Sequence, residues 1–136
     1  MKVVFLSCAK SKQSGPCLAK DMYTSPFFQK MWSYAQQAGS DKVFILSAKY
    51  GLLNPLQTIS PYDETLTSMG SSARKAWAQA VMHSIKTEAD VFSDEFVFLA
   101  GRFYREHLEL NMKNVSVPMG GLGIGEQLQW LNARLK

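Results

Sequence analysis

Pro61-Tyr62-Asp63-Glu64 sets an aromatic ring beside a carboxylate in a turn stiffened by proline. That pairing is the minimum equipment for breaking a nucleoside's glycosidic bond: the ring holds a flipped base or a sugar, while the carboxylate stabilises developing oxocarbenium charge or orients water. Asp63 is the candidate carboxylate, and its spacing equally suits an N-cap for the chain from Thr65 onward. Upstream, Ser47-Ala48-Lys49-Tyr50-Gly51 leaves the apolar run Val43-Phe44-Ile45-Leu46. Lys49 there is a candidate for phosphate contact or for a hydrogen bond to a departing base, Tyr50 for stacking, and Gly51 for a tight turn or close backbone approach. The connection from Ser47 to Leu66 is far longer than the usual span of about 4 to 6 residues, yet too rich in Leu, Ile and Tyr to be disordered.

Three further clusters carry residues able to hold anions. Ser7-Cys8-Ala9-Lys10-Ser11-Lys12 follows an apolar run with two lysines at i and i+2, where ammonium groups and loop amides suit a phosphate; the glycines of a Walker loop are missing. Cys8 is either a nucleophile or a small buried hydrophobe. Gly101-Arg102-Phe103-Tyr104 puts a guanidinium at a helix start. Pro118-Met119-Gly120-Gly121-Leu122-Gly123-Ile124-Gly125 is read as a backbone anion cradle, with Gly120, Gly121 and Gly123 contributing amides; its glycines do not match the dinucleotide fingerprint. Asp21-Met22-Tyr23-Thr24-Ser25 places Tyr23 ambiguously between packing and stacking, and Ser25 as a helix cap.

Four runs rich in β-branched or aromatic residues must position these clusters: Lys2 to Ser7, Lys42 to Ser47, Glu95 to Ala100 and Asn114 to Val117. Helical patterns lie between and after them. Ser25-Pro26 opens one that carries Phe27, Phe28, Met31, Trp32 and Ala35 up to Gly39. Ser71 to Glu88 repeats Ala73, Trp77, Ala80, Val81 and Ile85; Arg102 to Met112 and Glu126 to Leu135 supply two more. This alternation predicts a single α/β domain over residues 1–136: three layers, with a four-stranded, mainly parallel sheet and helices on both faces. In such sheets ligands bind outside the carboxyl ends of the strands, where all of these clusters would converge.

Composition narrows the partners. The 136 residues are 46% hydrophobic, enough for one core. A formal charge of +4 favours an anionic partner such as DNA or another nucleic acid or nucleotide. No apolar run approaches the roughly 18 residues of a membrane helix, and the first residues turn polar too soon for a secretion signal, so a cytoplasmic protein without membrane attachment is expected. Cys8 and Cys17 lack a CxxC spacing, and His83 and His107 lie in helical patterns far along the chain, so neither a zinc site nor a disulfide is expected, and the chemistry above calls for no metal or organic cofactor.

The order Cys8-x-Lys10-x-Lys12, Asp21-Met22-Tyr23-x-Ser25-x-x-Phe28, Ser47-Ala48-Lys49-Tyr50-Gly51-Leu52-Leu53-x-Pro55, Pro61-Tyr62-Asp63 and a glycine-rich loop before Leu128-Gln129-Trp130-Leu131 resembles a family of small bacterial and phage proteins, domain of unknown function number 6884. The part from Tyr50 to Pro55 and on through Ile59-x-Pro61-Tyr62 is similar to the core motif of the peroxide-stress YaaA proteins, a DNA-binding family. A fainter likeness extends to the lysine-transferring domain of archaeosine synthase. These resemblances imply handling of bases in DNA or RNA. The expected architecture is also that of the uracil-DNA glycosylase superfamily, although that superfamily's water-activating and histidine-containing motifs are missing. Together they point to a glycosidase that flips a modified base from DNA and excises it, leaving an abasic site, in phage defence or base turnover. Asp63 and Lys49 would be its catalytic residues. Tyr50 and Tyr62 would enclose the base, and Ser7, Cys8, Lys10, Lys12, Ser47, Arg102, Tyr104 and the glycine loop would bind substrate. The alternatives are a non-catalytic DNA-binding stress protein, or an enzyme that acts on free nucleotides or transfers a group to a base.

Overall fold

The computed structural model describes residues 1–135. Its elements in chain order are β1 (Lys2–Ser7), β2 (Cys17–Leu18), α1 (Ala19–Met22), α2 (Pro26–Gln37), β3 (Lys42–Ser47), β4 (Gly51–Leu53), β5 (Thr58–Ile59), α3 (Ser71–Glu88), β6 (Glu95–Leu99), α4 (Arg102–Arg105), β7 (Asn114–Ser116) and α5 (Ile124–Arg134), with single 3₁₀ turns at Leu66–Ser68 and Glu109–Asn111.

The main sheet has the order β4-β3-β1-β6-β7. β1 lies at its centre, parallel to β3 on one side and β6 on the other, in registers that pair Val3 with Lys42 and Lys2 with Glu95. A central strand covered on both faces must be apolar throughout, and Val3, Val4, Phe5 and Leu6 are fully buried. Their side chains alternate between two cores. Val4 and Leu6 join Phe28, Met31 and Ala35 of α2 and Leu131 of α5. Val3 and Phe5 join Val81, Met82 and Ile85 of α3, with Leu108 and Met112 beyond α4. The three-layer α/β arrangement is therefore as expected, and α2 is capped as expected, with the Ser25 hydroxyl accepting from the Phe28 N–H at 3.1 Å.

Three details differ. The sheet has five strands, not four, because Gly51–Leu53 folds back antiparallel on β3. The turn Ala48–Tyr50 closes through Gly51 at φ +74°, a left-handed conformation that a glycine adopts without Cβ strain. Another part of the long connection, β5, pairs antiparallel with β2 as a separate two-residue ribbon. The helix expected over Arg102 to Met112 is instead α4, a turn and a 3₁₀ segment, with the Leu108 N–H reaching Arg105 O in an i to i+3 pattern. On α3, Ala73 and Ala80 face solvent, and Ala78 and Met82 take the core positions assigned to them.

Candidate functional site

β1, β3 and β6 end at the same edge of the sheet, and the residues that follow them meet there. At the end of β3, Ser47 is the one fully buried polar residue among those described. Its hydroxyl accepts the Tyr50 N–H at 3.0 Å and donates to the Tyr62 oxygen at 2.8 Å. The Tyr62 hydroxyl in turn lies 2.5 Å from that of Tyr23. This chain of hydroxyls draws on three separate stretches of sequence, and the Trp77 indole closes it by donating to Ser47 O at 2.9 Å. At the end of β1, Cys8 contacts the Tyr104 hydroxyl at 3.4 Å, joining the segment after β6 to the same cluster. Cys8 and Cys17 are both free thiols.

Burial pushes the Tyr23, Tyr62 and Tyr104 phenols well above the usual tyrosine range, and the nearby Cys8 thiol adds to the rise at Tyr62 and Tyr104. All three stay neutral at physiological pH and can act as hydrogen-bond donors. Lys12 places its ammonium 4.6 Å from the centre of the Tyr62 ring, a cation–π contact, while donating to Lys10 O at 3.1 Å. Lys49 is exposed, its ammonium 5.4 Å from the Tyr50 ring centre. Lys10 and Asp63 are exposed, and among the described residues the Asp63 carboxylate has neither a hydrogen bond nor an ion pair. Its backbone is nonetheless fixed, because the preceding Tyr62 is buried and bonded on both sides.

One expectation is corrected by this geometry. The Tyr50 and Tyr62 rings do not frame a slot: they pack edge to face with centroids 5.5 Å apart, and the Tyr50 hydroxyl is engaged by the backbone of Ser60. In the glycine loop, three amides are spent internally. Gly120 N–H bonds Val117 O at 2.9 Å, Leu122 N–H bonds Met119 O, and Gly123 N–H bonds the Glu126 carboxylate at the start of α5. The amides of Met119, Gly121, Ile124 and Gly125 in that run have no partner among the described residues. Gly51 serves the hairpin turn. Arg102 stands at the rim, exposed and paired with Glu106 at 3.0 Å.

The open space lies on the other side of β1. Between the ends of β1 and β6 is a cleft of about 210 Å³. It is bordered by Ser7, by the stretch from Phe98 to Arg102, by Arg105 and by the glycine loop, with Phe27 and Met31 of α2 and Gln127 of α5 completing the wall. The connection from β1 leads through α2 to β3 on one side, and the connection from β3 leads through α3 to β6 on the other. The cleft therefore occupies the point where the winding reverses, the usual ligand position in open α/β sheets. The candidate residues read from the sequence do not include Phe27, Met31, Arg105 or Gln127, all of which fall within stretches read as helical. Tyr23, left open by the sequence, proves to be a buried member of the hydroxyl chain.

This order and the strand-end site define a doubly wound α/β protein. Residues 3–133 match the family of unknown function DUF6884, and the chain belongs to that family. No curated protein and no solved structure matches it. Among the described residues no helix is long and apolar enough to cross a membrane.

Proposed function

We propose that the protein is an N-glycosidase that frees a modified base from DNA and leaves an abasic site. One observation carries the reading: Asp63, an unpaired and exposed carboxylate, directly follows a tyrosine locked into the hydroxyl network at the strand ends. A carboxylate held on fixed backbone yet free of cations is available to face developing positive charge on a deoxyribose ring or to orient water toward it. In the reaction the C1′–N bond breaks, the electron pair leaves with the base, water supplies the oxygen that bonds C1′, and the departing base takes up a proton. Lys49, exposed on the adjoining turn, hydrogen-bonds that base. Lys10, Lys12 and Arg102 hold flanking phosphates. The likeness to YaaA proteins and the analogy of architecture to uracil-DNA glycosylases agree with work on bases in DNA.

A second reading, an enzyme acting on free nucleosides or nucleotides, draws support from the small volume of the switch-point cleft. Both readings are tested by incubating wild-type and Asp63→Asn proteins with DNAs carrying normal, uracil-containing and hypermodified bases, and with the corresponding nucleosides. Mass spectrometry then detects released base, and an aldehyde-reactive probe detects abasic sites. Release by the wild type, reduced about a hundredfold or more in Asp63→Asn, is the expected outcome. DNA that is bound but unaltered by both proteins would instead favour a non-catalytic DNA-binding protein.

A further inference from the structure

Among the polar groups of the switch-point cleft with unspent hydrogen-bonding capacity are three side chains, each on a different element. The Gln127 amide nitrogen donates to Leu122 O at 2.8 Å. That carbonyl can only accept, so the orientation of the amide is fixed by chemistry and its oxygen is left as an acceptor without a donor among the described residues. Arg105 spends its Nε–H on Ala100 O at 3.2 Å and Nη1 on the Glu109 carboxylate at 3.3 Å, which leaves Nη2 unpaired. The Ser7 hydroxyl, at the end of β1, has no partner among the described residues. Around these groups the wall mixes the apolar side chains of Phe27, Met31, Val117, Met119 and Leu122 with Arg102 and the backbone of the glycine loop.

A cleft that sets apolar side chains beside a few convergent polar groups is a common form of site for a small organic ligand. A bare phosphate would leave Phe27 and Met31 unused, and the two arginines of the lining, Arg102 and Arg105, already face Glu106 and Glu109. The volume decides the size of the guest. About 210 Å³ equals the liquid volume of roughly seven waters at ~30 Å³ each, room for one heteroaromatic ring system.

We infer that this cleft is the pocket for the extruded nucleobase, with Phe27 and Met31 against the ring, Gln127 Oε1 accepting from a ring N–H or amino group, and Arg105 Nη2 donating to a ring nitrogen or carbonyl. The inference deepens the glycosidase reading and rests on its nucleobase substrate. It moves the base from the Tyr50 and Tyr62 rings, which pack on each other, to the space across β1. Ser7 lines that space, and the next residue, Cys8, belongs to the hydroxyl cluster, so the two halves of the site meet at the end of β1.

The test uses protein carrying ¹³C-methyl methionine. Two of the seven methionines, Met31 and Met119, line the cleft, whereas Met82 and Met112 lie in the opposite core. Free adenine, guanine, cytosine, thymine, uracil and hypoxanthine are titrated separately, with inorganic phosphate and ribose 5-phosphate as comparisons. At least one base should shift the Met31 and Met119 methyl resonances and leave Met82 and Met112 unmoved, while phosphate alone moves none of them. Gln127→Leu should weaken that base about three- to tenfold, the worth of one hydrogen bond. Ser7→Ala, which disturbs no bond within the protein, should weaken it by a smaller factor. Unshifted Met82 and Met112 resonances report that each variant is folded. The pocket assignment is overturned if no base shifts Met31 and Met119, if phosphate shifts them as strongly as a base does, or if neither variant changes the affinity. Base binding without base release from any DNA would remove the glycosidase and keep the pocket. Base release unaffected by Gln127→Leu and Ser7→Ala would do the reverse.

Discussion

The Ser47 hydroxyl donates to the Tyr62 oxygen at 2.8 Å, joining the last residue of β3 to a residue fifteen positions further along the chain. This bond holds the long connection against the sheet, and it is the reason that Asp63 has a fixed place at all. Replacing Tyr62 by phenylalanine leaves the Ser47 hydroxyl proton without its acceptor and the Tyr23 phenol without its partner in a buried setting, at a cost of about 1–3 kcal/mol. Urea unfolding should show that loss, whereas Asp63→Asn, exposed and unpaired, should unfold at the wild-type midpoint. If Asp63→Asn lost as much stability as Tyr62→Phe, Asp63 would be a structural residue and any loss of activity in that variant would say nothing about catalysis.

Alkaline pH should expose the same network. In the folded protein Tyr23, Tyr62 and Tyr104 ionise above their ordinary value of 10.0, chiefly because they are buried. The stability this represents is fully present below pH 10, where both states hold their phenolic protons. It falls as pH rises past 10, where the unfolded chain releases protons that the folded one retains. Each tyrosine contributes up to about 1.4 kcal/mol of loss per pH unit in that range. Unfolding free energies measured from pH 8 to pH 12 should stay flat and then descend, with a shallower descent in Tyr62→Phe. A wild-type profile that stays flat to pH 12 would mean that these phenols are not protected.

Two glycines should resist substitution for different reasons. Gly51 has φ +74°, and an added Cβ would meet only Val81 Cγ2 at an ordinary 3.6 Å, so Gly51→Ala costs about 1–2 kcal/mol through backbone conformation alone. Gly120 lies outside the positive-φ region, but its Cβ would sit 3.1 Å from Val117 O, so the cost of Gly120→Ala is steric. Asparagine, which tolerates the left-handed region, should recover part of the stability at position 51 and none at position 120. Thermal unfolding of the four variants checks both halves of this contrast.

DNA binding should depend on salt through the exposed lysines. For duplex DNA the slope of log K against log salt changes by about 0.9 for each phosphate contact removed. Lys10→Gln and Lys49→Gln should each flatten the slope by that amount in fluorescence anisotropy titrations. Lys30→Gln should not, because Lys30 bonds Asn132 on the helical face formed by α2 and α5. Equal slopes in all three variants would remove Lys10 and Lys49 from the nucleic-acid interface.

The parallel core of the fold could be read from the chain because a strand buried on both faces has to be an unbroken apolar run, and Val3 to Leu6 and Phe96 to Leu99 are such runs. The α2 boundary was equally plain, since Ser25-Pro26 states both the cap and the first helical residue. β4 was hidden because Gly51-Leu52-Leu53 is too short to declare a period, and only the positive φ of Gly51 turns it back on β3. The hydroxyl chain was half legible: Ser47, Tyr50 and Tyr62 stood out by position, but their bonds to Tyr23 and Trp77 come from tertiary packing across separate elements. The cleft was least visible. Its lining is drawn from residues scattered between Ser7 and Gln127, and the apolar side chains that make it a pocket look in sequence like any other core-facing residues.

The central position of β1 sets the order in which the chain can be made. Lys2 pairs with Glu95 and Val3 with Lys42, so β1 finds one neighbour only when β3 has been made and the other only when β6 has. Until Leu99 clears the exit tunnel, Phe5 lacks Phe96 and Phe98, two of its aromatic partners, and one hydrogen-bonding edge of β1 stays open. An unfinished chain with a bare apolar strand invites capture by chaperones or by other nascent chains. The arrangement that brings Ser7 and Cys8 to the middle of the site thus leaves β1 bare during synthesis, and a lower expression temperature, which weakens hydrophobic association of unfinished chains, should raise the yield of folded protein.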